Sequence, residues 1–254
     1  MKKNIAFVKY AGASAGGTEK FLQTIAANLN KSKFEVDYYY SGPAKVIGSK
    51  YLHMPVNDHR LNYLKDNKVN TIEFNVEKIV FSNSNQKKWE NTNFYKIFDE
   101  EKYDLIQIAR SNKNEEPYTT IKNTPIVDSI HTYWGVDDQV NVAKVLIQSD
   151  DLKDKWIQNG GKEEKVVTNC TPIDDKKENF RNLKEEFKLY NKFVFGLHQR
   201  KDDSIYSSVP LDCYKRIESS KTFFLIMGGS SKYSEQAKEL KLKNFAQIDF
   251  DFDK

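Results

Sequence analysis

Apolar runs of strand length alternate along this chain with stretches whose apolar residues recur every three or four positions. Strand then helix, repeated, is the pattern of a doubly wound α/β protein built on a parallel sheet. Strands are expected near 5–10, 36–40, 70–75, 103–109, 125–130, 143–149 and 165–168. Helices are expected over 17–29, where Phe21, Leu22, Ile25, Ala26 and Leu29 share a face, and over 150–158, which Gly160 and Gly161 close. Segments 42–55 and 76–93 show neither period and are expected to be irregular. Past residue 169 the pattern changes to mixed charge, with Phe180, Leu183 and Phe187 as the apolar positions of a solvated linker helix. Strands near 193–198, 222–227 and 245–250, with helices over 211–219 and 231–240, then make half of a second Rossmann-like domain. The expected organisation is a first domain over 1–170, a linker over 171–191 and part of a second domain over 192–254.

Each domain opens with a strand that breaks at glycine. The first runs through Val8 and Tyr10 into Ala11-Gly-Ala-Ser-Ala-Gly-Gly-Thr-Glu19, and the second pairs Phe193 to Arg200 with a strand ending at Gly228-Gly229. A strand, a glycine turn and a helix N-terminus direct backbone N–H groups at one spot, which suits phosphate or a sugar oxygen. Two such units imply two facing domains with a cleft. The first loop falls short of the dinucleotide fingerprint: Gly12-x-Ser14-x-x-Gly17 has Ser at the central glycine, and Asp37 stands inside a strand rather than at its end. The simplest alternative is that these glycines serve only a tight turn.

Composition narrows the classes. With 254 residues, 39 % hydrophobic and 30 % charged, the chain can bury a substantial core. Forty basic against thirty-six acidic side chains leave only +4, without a clustered basic run, so nucleic acid is not an expected partner. Cys170 and Cys213 have no cysteine or histidine at metal-ligand spacing, which predicts a reducing compartment and no metal site. No apolar run approaches the ~20 residues of a membrane span. A cytoplasmic location is expected, with room for a peripheral membrane contact.

Several motifs in order then carry a likeness. Gly16-Gly17-Thr18-Glu19 follows the first strand, and His131 ends the strand Ile126-Val-Asp-Ser-Ile. Ser149 follows Val145-Leu-Ile-Gln and opens a helix, Asn169 to Asp174 begins the linker, and Arg200 follows Phe193-Val-Phe-Gly-Leu-His-Gln. Over nearly its whole length the chain resembles a glycosyltransferase of the two-Rossmann GT-B type, of the retaining group called family 4. The linker departs from that family's Asn-Gly-x-Asp by two extra residues and no glycine. Lys201 is out of register with the family's lysine. Its Glu-x7-Glu pair would fall beyond residue 254; Glu178 and Glu186 match the spacing but lie on the charged linker helix.

The resemblance implies transfer of a sugar, a hexose by expectation, from a nucleoside diphosphate sugar to an acceptor hydroxyl with retention. The acceptor would be a carbohydrate or a glycan-lipid. It implies His131 as the catalytic-site residue, and Gly16, Gly17, Thr18 and Glu19 beneath the acceptor and sugar phosphate. Arg200, with N–H donors at Gly16, Gly17, Gly228 and Gly229, would meet the departing diphosphate; no cofactor or metal is implied. On this expectation the chain is a fragment, cut within its donor domain and inactive alone. A non-catalytic binding module and a nucleotide-dependent oxidoreductase are the alternatives. His198 is undecided between cleft and surface, His53 and His59 are expected to be structural or exposed, and Trp134 to pack rather than stack on a sugar.

Overall fold

The computed structural model describes residues 1–42, 44–47, 55–81, 86–110, 114–131, 136, 141–169, 182–199, 201 and 203–249. The chain forms two compact units, residues 1–175 and 176–254.

In the first unit the elements run β1 (Lys3–Lys9), α1 (Gly17–Asn28), β2 (Phe34–Ser41), β3 (Lys45–Ile47), α2 (Asp58–Asp66), β4 (Asn70–Phe74), β5 (Val76–Phe81), β6 (Gln86–Thr92) and α3 (Phe94–Ile97). They continue with β7 (Leu105–Arg110), β8 (Asn114–Glu115), β9 (Ile126–Ile130), β10 (Val142–Ile147), α4 (Asp150–Gln158) and β11 (Val166–Thr168). Seven strands make one sheet in the order β11-β10-β9-β7-β1-β2-β4, every adjacent pair parallel. The chain starts at β1, steps outward through β2 to β4, then returns to β7 on the other side. That reversal makes the β1/β7 junction a topological switch point, where the loops after two adjacent strands part and leave a crevice.

Strand β1 shows why the sheet is buried on both faces. Ile5 and Phe7 pack with Phe21, Leu22, Leu61 and Leu64 of the helices on one side, while Ala6 and Val8 pack with Ile106, Ile108, Ile126 and Trp156 on the other. A two-residue period thus places an unbroken apolar run in two different cores. The apolar face expected for α1 is the buried one: Phe21, Leu22 and Ala26 are buried, with Ile25 and Leu29 packed at its margin. Helix α4 begins where Ser149 Oγ accepts from the Leu152 N–H at 3.3 Å. It ends in a Schellman closure, Gly160 N–H to Ile157 O and Gly161 N–H to Trp156 O, with Gly160 at φ +93°.

The expectation for 76–93 is corrected, and within 42–55 residues Lys45–Ile47 are a strand: β3, β5, β6 and β8 form a separate four-stranded sheet, with β5 and β6 antiparallel, while 43, 48–54 and 82–85 lie outside the described residues. The buried residues are Val76, Ile79 and Trp89, so along β5 the buried positions stand three apart rather than two. Exposed or half-exposed charges between them, among them the Lys78–Glu90 cross-strand pair at 3.9 Å, hide the alternation. Helix α2 was also not expected, although Asn57 caps it by accepting from the Arg60 N–H at 2.9 Å and Leu61 and Leu64 are buried.

The second unit comprises α5 (Leu183–Glu186), β12 (Phe193–Gln199), α6 (Val209–Ile217), β13 (Thr222–Gly228), α7 (Lys232–Glu239) and β14 (Phe245–Ile248). Its sheet is parallel in the order β12-β13-β14. Leu211, Tyr214, Phe224, Ile226, Tyr233 and Ala237 form the core beneath its helices. Of the expected linker helix, Phe180 and Glu178 lie outside the described residues, while Glu186 is exposed in α5.

Candidate functional site

The carboxyl ends of β1, β7, β9 and β10 share one edge of the first unit's sheet, and each delivers a polar side chain there. Lys9 ends β1 and is 6 % exposed. Its ammonium donates to Ala109 O at 2.9 Å, across the switch point, and lies 4.0 Å from Glu19 and 3.8 Å from Glu115. Arg110 ends β7, is itself buried, and donates from Nε to Asp128 Oδ2 at 2.9 Å; its guanidinium lies 3.4 Å from the Tyr118 ring centre. Asp128 sits in β9 with no exposed surface. Charges this deep persist only when paired, so the edge is a fixed electrostatic frame. Burial pushes the Tyr10 phenol, next to Lys9, up to about 12.

His131 stands one residue past β9. Its ring packs edge-on against Phe21 of α1, centroids 4.8 Å apart at 83°, and its Nδ1 is hydrogen-bonded to Gln148 Nε2. Its Nε2 is buried and has no partner among the described residues. Burial, reinforced by the Lys9 ammonium, pushes the imidazole from 6.5 down to about 4. The ring is therefore neutral at pH 7 and carries one N–H.

The loop before α1 is clamped from beneath. Gln23 Nε2 donates to Gly12 O at 2.6 Å and to Ser14 O at 2.9 Å, Tyr38 OH donates to Gly12 O at 3.0 Å, and Arg60 Nε holds Gln23 Oε1 at 2.6 Å. A side chain at position 12 would place its Cβ 2.8 Å from Lys9 O and 2.9 Å from the Tyr38 ring, so only glycine fits. Gly16 is the extended N-cap, with no side chain capping the helix. The first intrahelical bond is Lys20 N–H to Gly16 O, which leaves the N–H groups of Gly17, Thr18 and Glu19 outside the ladder. Gly17 is exposed, with no heavy atom within 4 Å of where a Cβ would stand.

The structure thus brings His131, Gly16, Gly17 and Thr18 to one edge, through the Phe21 contact with His131. Glu19 is there as well, but its carboxylate is buried beside Lys9 rather than open to a ligand. Lys9, Gln23, Arg110, Glu115, Asp128 and Gln148 reach this edge without a sequence motif that marks them. The available signal was a charged residue closing an apolar strand, as in Ile-Ala-Phe-Val-Lys9 and Ile-Ala-Arg110. Asp37 lies mid-strand and is held by Asn70 at 2.9 Å and Tyr103 OH at 2.6 Å, away from the strand end a ribose would meet.

In the second unit the same edge carries Gln199, Gly228 and Gly229. Both glycines have φ +75°, the left-handed region that favours glycine. The expectation that Gly229 offers its N–H to a ligand is corrected: that group donates to Gln199 O at 2.7 Å. Gly228 O accepts from Gln247 Nε2 at 2.7 Å, so this turn is braced internally. His198 is exposed in β12 and His59 is exposed in α2. Arg200, His53, Trp134, Cys170 and Asp174 lie outside the described residues. Among the described residues no group of three or more His, Cys, Asp or Glu could hold a metal, and no helix is long and apolar enough to cross a membrane.

No protein-family model and no curated protein matches the chain. Solved structures do. Anabaena HepE in complex with UDP and glucose aligns over 98 % of this chain and 70 % of its own, with TM-score 0.62 and 15 % identity. The lipopolysaccharide outer core galactosyltransferase WaaB aligns over 98 % and 68 %, with TM-score 0.53 and 13 % identity. A Listeria monocytogenes protein assigned as a UDP-N-acetylglucosamine 2-epimerase aligns over 98 % and 69 %, with TM-score 0.60 and 8 % identity. The chain has the α/β architecture of GT-B proteins. At such identities the likeness concerns fold.

Proposed function

We propose that the chain acts on a nucleoside diphosphate sugar as a glycosyltransferase, moving a hexose to an acceptor hydroxyl of a carbohydrate or glycan-lipid with retention. The observation that carries this is His131 Nε2, a buried polar atom without a partner among the described residues, on the sheet edge where α/β proteins take their ligands. A sugar or phosphate oxygen is the partner that suits it. The N–H groups of Gly17 and Thr18, at the positive end of α1, suit developing negative charge beside it. Arg200 is assigned to the departing diphosphate by its place after β12. The structural neighbours support the nucleotide: HepE is known with UDP-glucose and MnaA of S. aureus with UDP.

Glycosyl transfer needs a diphosphate leaving group and an electron-poor sugar carbon stabilised together. The buried Lys9, Glu19 and Glu115 group serves as frame, holding β1, α1 and β8 at fixed distances. Burial, reinforced by the Lys9 ammonium, keeps His131 neutral, and a neutral imidazole hydrogen-bonds the sugar without placing a positive charge against the incipient cation.

Calorimetric titration with UDP and UDP-glucose, followed by UDP release with oligosaccharide or glycolipid acceptors, tests the reading. UDP is expected to bind, and Arg200→Ala to weaken it by about 1.5–3 kcal/mol. His131→Ala is expected to leave UDP affinity within about twofold while lowering turnover, since its effect on the barrier is separate from nucleotide binding. The anomeric configuration of the product decides retention. Conversion of the nucleotide sugar to an epimer without UDP release would replace this reading with an epimerase, a chemistry assigned to the Listeria neighbour with this fold. Absence of any uridine nucleotide binding would remove it.

A further inference from the structure

His131 could serve this site in two opposite ways. With its proton on Nε2 it donates a hydrogen bond to a ligand oxygen; with its proton on Nδ1 the Nε2 lone pair makes it a base. Which holds is decided by whatever faces Nδ1. The facing atom is Gln148 Nε2, an amide nitrogen with two hydrogens and no lone pair to offer. Nδ1 must therefore accept, and the single ring proton sits on the buried Nε2, which has no partner among the described residues.

The contact is built by strand register. Ile130 of β9 pairs with Ile147 of β10, so the residues one step beyond, His131 and Gln148, face each other across the sheet edge. Phe21 meets the ring edge-on from α1 and limits its rotation. Lys9 is the cation acting on the ring, itself beside Glu19 of α1 and Glu115 of β8. A second proton on the ring, which would erase the distinction between its two nitrogens, is disfavoured by burial and by that ammonium.

We propose that Gln148 is a positioning residue that fixes His131 as an Nε2–H donor, so that this site recognises a ligand oxygen bearing a lone pair and does not abstract a proton through His131. That the oxygen belongs to a sugar or its phosphate rests on the glycosyltransferase reading; the tautomer does not.

The experiment is a long-range ¹⁵N–¹H correlation of the histidine rings in the full 254-residue chain at pH 7. His131→Gln assigns one set among only four histidines. The expected His131 pattern is a protonated-type Nε2 and an unprotonated-type Nδ1. Gln148→Glu, whose carboxylate can only accept, should move a proton onto Nδ1 and raise the ring's titration midpoint by a unit or so, about the effect of one adjacent opposite charge. Gln148→Leu should release the ring to a mixture of tautomers. A wild-type ring protonated at Nδ1, or a His131 pattern untouched by both substitutions, overturns the proposal. The expected pattern in a protein that binds no uridine nucleotide upholds the positioning role and removes the transferase reading instead.

Discussion

Removing the Asp128 carboxylate should unfold the first unit far more readily than its single small side chain suggests. Asp128 has no exposed surface, Arg110 is 2 % exposed, and the guanidinium reaches the carboxylate through both Nε and a terminal nitrogen. Asp128→Ala therefore removes one partner of a buried charge pair, a change that costs about 3–5 kcal/mol. Tyr118, 3.4 Å from the guanidinium, returns about 0.5–2 kcal/mol of cation–π attraction and places the expected loss near the lower end, ~3 kcal/mol. With a urea slope of about 2 kcal/mol/M, that loss moves the unfolding midpoint down by roughly 1.5 M. The assay is unusually clean because Trp89, Trp134 and Trp156 all lie within residues 1–175, so tryptophan fluorescence follows the first unit alone. Replacing both partners, Arg110→Met with Asp128→Leu, should restore most of the loss, since an apolar pair of similar volume carries no desolvation penalty. A loss under 1 kcal/mol for Asp128→Ala, or a double variant no better than the single, would refute the view that this pair is a buried, mutually dependent charge couple.

At Gly161 a Cβ would stand 2.0 Å from Trp156 Nε1, and Trp156 is 2 % exposed, so Gly161→Ala should lose about 3 kcal/mol by overpacking, while Gly17→Ala, with nothing within 4 Å, should change stability by less than about 1 kcal/mol; equal urea midpoints for the two would contradict the packing argument. His131, lowered to about 4 in the fold, binds fewer protons than the unfolded chain between pH 4 and 6.5. Stability should then fall as pH is lowered through that window, with a slope below the limit of about 1.4 kcal/mol per pH unit because water reaches the half-buried ring. His131→Gln removes this component, so midpoints at pH 7, 6 and 5 should converge on or cross those of the wild type; parallel slopes would show that His131 is not buried neutral.

What could be read in advance divides along a physical line. Helix α4 was legible to the residue because its start, the Ser149 cap, and its stop, the Gly160–Gly161 closure, are both local. The central strands were legible because their runs are mostly apolar and buried on both faces. The small sheet of β3, β5, β6 and β8 was not, since along β5 the buried Val76 and Ile79 stand three apart with glutamate and lysine between them. The site divides the same way. His131 could be picked out as a residue ending a strand, but the groups that give it its chemistry come from distant segments. Lys9 meets Ala109 and Glu115 a hundred residues on because β1 lies beside β7, a pairing no local pattern encodes. Gln148 meets Nδ1 of His131 only through the β9–β10 register, and a slip of one residue would turn its side chain to the opposite face of the sheet. The candidate site residue is thus marked by a local property of the sequence. Whether its ring donates or accepts is a property of strand pairing, and it became visible only once the two strand ends stood side by side.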